Sequence, residues 1–164
     1  MRNFLKTPIV ATALALGATG AMITLPAFAA DEISVTTTAQ APTLAVQGYD
    51  VVSYQTPGEP VEGLARFSAD HDGATYRFSD QANLDAFTAD PARFVPAYGG
   101  FCAYGVSKGK KFDADPEAYT VVDGRLYLNV SKRVRKTWLK KRDAHIDQAE
   151  TRWTDIEHVA IGDL

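Results

Sequence analysis

Four side chains in the sequence could serve as soft metal ligands or as nucleophiles near neutral pH: Cys102 and the histidines His71, His145 and His158. Cys102 lies in the run Tyr98-Gly99-Gly100-Phe101-Cys102-Ala103-Tyr104. Its glycine pair lets backbone approach closely or take positive φ. A thiol near backbone amides can have a lowered pKa and act as ligand or nucleophile. The plainer reading is a small buried hydrophobe. His71 sits between Asp70 and Asp72, and an imidazole with a flanking carboxylate is a common ligand arrangement. By itself it reads as a solvated turn residue. His145 and His158 are 13 residues apart, not at the i, i+4 spacing that puts two ligands on one helical face. They read as a surface or packing residue and a residue of the tail.

One thiol, with methionine only at Met1 and Met22, excludes several architectures. A disulfide within the chain, a Cys-only zinc knuckle, a two-Cys redox motif and a Met-rich copper site all need more sulfur. G-x-S-x-G, the P-loop, H-E-x-x-H and G-x-G-x-x-G are absent, and the carboxylates are scattered, so no catalytic set assembles.

The elements that must position these groups read as α+β. Asp72-Gly73 and Asp123-Gly124 each stand between aromatic-containing apolar runs, a strong hairpin signal. The first hairpin joins residues 65–70 to 74–78, with Phe67, Tyr76 and Phe78 toward the core. The second joins Tyr119–Val122 to Leu126–Val130, with Leu126, Leu128 and Val130 on one face. One small antiparallel sheet built from the two hairpins is expected. Ser79 is the expected N-cap of a helix over 80–89, and Pro91 opens a short turn through Phe94. Ser131 caps a long C-terminal helix from Lys132 to about Ile156.

At the N-terminus, Arg2 and Lys6 precede an uncharged Ala/Leu-rich run, Ile9 to Leu25, and then Ala27-Phe28-Ala29. Basic, apolar and A-x-A segments in this order predict a secretory signal peptide cut after about Ala29, hence a periplasmic protein without a stable membrane anchor. Residues 30–43 read as a flexible leader, 44–142 as the domain and 143–164 as a helical extension and tail. Without residues 1–29 the chain holds 15 basic and 20 acidic residues, a balance that disfavours nucleic-acid binding. Lys132 to Arg142 (KRVRKTWLKKR) holds seven basic residues and no acid; Asp143 to Asp163 holds six acids and one Arg. The first block reads as a solvated helix with Val134, Trp138 and His145 turned inward, the alternative being an anionic-lipid or nucleic-acid face.

Taken together, Gly48-Tyr49-Asp50-Val51-Val52-Ser53-Tyr54, Asp72 to Phe78, Asn83…Phe87…Asp90-Pro91, Tyr98 to Tyr104 and Asp123 to Asn129 resemble the exported, single-domain branch of the YHS-domain family. The resemblance runs from about Leu44 to Lys140. It implies a small α+β domain related to TRASH-like metal-binding modules. Those relatives carry one Cys just after the aromatic residue ending the second hairpin strand and another in the following helix. Here Ser79 and residues 81–84 occupy those places, and Phe67-Ser68-Ala69-Asp70-His71 replaces the tripeptide that names the family.

The resemblance and the single thiol lead to the expectation of a transition-metal module, copper or nickel before zinc. Cys102 is the expected thiolate and His71 the imidazole, with Tyr49, Asp50, Tyr98 or Tyr104 as secondary ligands or pocket residues. A dimer uniting two copies of Cys102 would enlarge the ligand set. The alternative is a non-metal module that takes a small ligand or an unknown periplasmic protein, with Tyr49, Tyr54, Tyr98, Phe101 and Tyr104 lining a pocket. An enzymatic use of Cys102, as nucleophile or sulfenate-forming sensor, ranks last.

Overall fold

The two Asp-Gly pairs form the turns that organise the chain. Asp72 and Gly73 have φ of 46° and 78°, and Asp123 and Gly124 have 51° and 79°. Positive φ at both central residues is the type I′ turn, whose twist matches the strands it joins. In this computed structural model, which describes residues 44–55 and 60–164 and the backbone of Val35–Thr36, the hairpins lie in two separate sheets. The predicted signal peptide and most of the leader lie outside the described residues.

In the first sheet, β1 (Val35–Thr36), β2 (Leu44–Ala45), β3 (Leu64–His71) and β4 (Ala74–Phe78) run in the order β1-β2-β4-β3. The β1–β2 and β3–β4 pairs are antiparallel, and β2 lies parallel to β4. The second sheet is the hairpin of β5 (Asp115–Val122) and β6 (Arg125–Asn129). The helices are α1 (Gln81–Ala89), α2 (Ala103–Val106), α3 (Lys132–Leu139) and α4 (Arg142–Ile156). The class is α+β with a C-terminal helix, as the sequence indicates.

Two apolar clusters hold the fold. Tyr76, Phe78 and Phe87 pack with Val51 and Tyr54 in the first; Tyr98, Phe101, Trp138 and Ala149 pack in the second. Strand β6 forms the wall between them. Leu126 and Leu128 face the first cluster and Tyr127 the second, so the strand is buried on both sides. Val130, expected on the same face as the leucines, falls beyond the strand and is exposed.

Helix caps refine the sequence reading. Asp80, not Ser79, caps α1 by accepting from the Asn83 N–H, because the Ser79 hydroxyl is engaged elsewhere. Ser131 caps α3 through the Val134 N–H. The single helix expected over 132–156 breaks at Lys140–Lys141. There His145 Nδ1 lies 2.9 Å from the Trp138 carbonyl and binds the end of α3. Trp138 and His145 are buried as expected, and Val134 is half-buried.

Candidate functional site

Asp50 is fully buried and ends the irregular stretch 46–50, in which Val46, Gln47 and Gly48 all have positive φ. Its Oδ1 accepts from the Val52 and Ser53 N–H groups at 2.9 and 3.3 Å. Its Oδ2 accepts from the Ser79 N–H at 2.9 Å, the Ser79 hydroxyl at 2.7 Å and Asn83 Nδ2 at 2.6 Å. Five donors therefore surround one carboxylate, which compensates for its removal from water. The carboxylate ties the segment after Gly48 to the end of β4 and to the first turn of α1. Ser79 holds one place that the family resemblance assigns to a thiolate, and Asn83 lies within the 81–84 stretch that holds the other.

Cys102 follows Tyr98, Gly99 and Gly100, whose φ values of 57°, 58° and 82° turn the chain sharply before Phe101. The glycines allow this turn at low cost. Tyr98 is held there by burial and by donating its hydroxyl to Glu150 at 3.0 Å. Cys102 donates its backbone N–H to the Phe112 carbonyl and bridges Leu128 of β6. Its sulfur, at a residue only 1% exposed, accepts from the Gly105 N–H at 3.4 Å and lies 3.7 Å from Asn129 Oδ1. Close packing at α2 requires Gly105, since a Cβ there would stand 2.7 Å from the Phe112 ring.

His71 ends β3, beside the turn. Its Nε2 lies 3.2 Å from Asp72 Oδ2, and its ring meets Phe87 and Tyr76 edge-on. The neighbours of Cys102, His71 and Asp50 in these contacts have no residue in common. The three therefore do not form one ligand shell within the chain. Among the described residues, no group of three or more His, Cys, Asp or Glu side chains is placed to hold a metal ion.

The aromatic residues expected around a pocket separate as well. Tyr54 packs on Tyr119 in the first cluster and donates to the Pro116 carbonyl. Tyr98 and Phe101 pack against Trp153 in the second. Tyr104 meets His145 and Lys108 on the α4 side, and half-buried Tyr49 bridges Glu62. Burial raises the phenol pKa of Tyr54, Tyr76 and Tyr98, reinforced respectively by Tyr49 and Tyr119, by Asp72 and by Glu150. These phenols stay protonated; Tyr54 and Tyr98 also donate hydrogen bonds, whereas Tyr76 serves packing alone.

Four contributing residues escape the sequence reading. Asn129 pairs with Cys102 from the end of β6, 27 positions away in the chain. Ser79 and Asn83 surround Asp50, and a carboxylate inside the apolar stretch 48–54 was itself the signal that buried donors must exist. Lys111, 2% exposed, donates to the Glu157 and Val159 carbonyls at 2.8 Å each and lies over the Phe101 and Trp153 rings. It closes the C-terminal end of α4 onto the domain, where a cation also complements the helix dipole.

No protein-family model, curated protein or solved structure matches the chain. Among the described residues no helix is long and apolar enough to cross a membrane.

Proposed function

We propose that the protein is a non-catalytic, YHS-like interaction module rather than a metal carrier or an enzyme. One observation carries this reading. Ser79, and Asn83 within the 81–84 stretch, lie where the resemblance leads one to expect thiolates, and both donate to Asp50 to complete a closed hydrogen-bond cage. The remaining thiol is buried and engaged by Gly105 and Asn129, a setting in which a cysteine acts as a packing residue. The predicted export signal would place the module in the periplasm.

The test uses untagged protein recovered from the periplasm. Its bound metal and thiol reactivity are measured in wild type and Cys102→Ser. The module reading expects Cys102 to react only on unfolding, and both proteins to carry equal, substoichiometric metal. Stoichiometric uptake of Cu(I), Ni(II) or Zn(II) that disappears in Cys102→Ser would replace it with the metal-binding reading.

A further inference from the structure

The segment 132–142 holds seven of the 17 basic residues and no acid, leaving 10 basic residues against 20 acidic ones elsewhere. Helix α3 and the corner that follows it therefore form one cationic face on an otherwise acidic protein. Lys132, Lys136 and Lys140 repeat at i, i+4 spacing, flanked by Arg133 and Lys141, and all five are exposed. Lys132 pairs with Glu117, and Arg142 with Asp143. Arg133, Lys136, Lys140 and Lys141 have no carboxylate partner among the described residues.

The fold does not account for this arrangement. Like charges at i, i+4 repel along a helix. The helix dipole favours Lys140 and Lys141 at the C-terminal end of α3 but opposes Lys132 and Arg133 in its first turn, which contains no acid. Arg135 is the exception, since it points inward, donates to Thr120 and lies over the Tyr119 ring. Beneath the row, fully buried Trp138 anchors the helix to the domain. At its end Leu139 is 41% exposed and begins an open corner formed by residues 139–144.

We infer that this face docks on an anionic lipid bilayer, with the lysine row over the headgroup phosphates and Leu139 entering the interface. The inference deepens the interaction-module reading and rests on it. Charge complementarity selects an anionic partner. An exposed helix side with one exposed leucine at its end suits insertion into a lipid interface, with the cations around it over the headgroups. Lysine ammonium groups, as compact point charges, suit mobile phosphates with no fixed geometry, whereas carboxylates at fixed positions favour the arginine fork. Over a Debye length of about 8 Å the cationic face dominates locally. The acidic remainder is repelled by the same surface, so one orientation is selected.

The test is co-sedimentation of the protein, as recovered from cells, with phosphatidylcholine vesicles with or without about 30 mol% phosphatidylglycerol. The readout is the difference between compositions, since an apolar N-terminal segment, if retained, partitions into both alike. Binding is expected to require phosphatidylglycerol and to weaken steeply with added salt. Each exposed cation contributes roughly fivefold, so the triple variant Lys136→Gln, Lys140→Gln, Lys141→Gln should bind on the order of 100-fold more weakly. Its melting temperature should shift by only a few degrees, because the relieved like-charge repulsion and the lost dipole interactions of Lys140 and Lys141 oppose each other. Leu139→Gln should lose about threefold to tenfold more than its unchanged charge predicts.

Equal binding to both vesicle types, or a triple variant that binds like wild type, would overturn the inference. Capture by immobilised polyglutamate without vesicle binding would reassign the face to an acidic protein and overturn the lipid proposal alone. Metal loading at Cys102 would instead sink the interaction-module reading, whatever the vesicles show.

Discussion

Replacing Asp50 by asparagine preserves shape and tests whether this carboxylate holds the fold together. An amide offers one acceptor oxygen where the carboxylate offers two. If the oxygen faces the Val52 and Ser53 N–H groups, the NH2 group confronts the three donors from Ser79 and Asn83. The reverse orientation strands the two backbone donors instead. Each hydrogen bond to a charged acceptor contributes about 1.5–3 kcal/mol. Two to three are lost, and water can reach half-buried Ser79 and Asn83 to recover part of that. The expected destabilisation is about 3–5 kcal/mol. For a folded unit of this size that lowers the melting temperature by about 10–20 °C. Urea titration followed by tryptophan fluorescence should show a lower midpoint with an unchanged slope. Ser79→Ala should cost about 1–2 kcal/mol, and the double variant should cost less than the sum, since both changes act on one network. An Asp50→Asn protein that melts within about 3 °C of wild type would refute the assignment of Asp50 as a structural carboxylate.

Two further outcomes follow from buried polar groups. Burial holds the Tyr54, Tyr76 and Tyr98 phenols above their ordinary pKa of 10.0. The unfolded chain releases those protons near pH 10, so above that pH it binds fewer protons than the native state. Stability is therefore full below about pH 10 and declines as pH rises beyond it. Phenolate absorbance should show these three rings titrating only together with alkaline unfolding; their titration in the native protein would contradict the burial argument. Lys111→Met removes both bonds to the end of α4 but keeps an apolar stem against Phe101 and Trp153. It should cost about 2–3 kcal/mol. Hydrogen exchange should accelerate in residues 156–164 more than in the β3–β4 hairpin, and uniform acceleration would argue against a local closing role.

Local chemistry made much of the architecture legible. Asp72-Gly73 and Asp123-Gly124 specify their turns because only a few residue types tolerate two successive positive φ values. Ser131 caps α3 with a neighbour three positions away, an interaction that leaves its mark in the local sequence. Periodicity was less informative on β6, where two apolar clusters bury both faces and erase the alternation. Local sequence pointed to Ser79 as the cap of α1, where Asp80 takes that role. The choice depends on Asp50, 29 positions earlier, which takes the Ser79 hydroxyl.

The sequence by itself determined the α+β class, both hairpin turns, the single thiol and the basic block, since these depend on residue type and short-range spacing. Only the tertiary structure decided what the chemistry-bearing groups do. It brought Ser79 and Asn83 to Asp50, Asn129 to Cys102, and the Glu157 and Val159 carbonyls to Lys111. It also kept His71 in other company. Such partnerships form between residues tens of positions apart, where packing, not local preference, fixes which donor meets which acceptor.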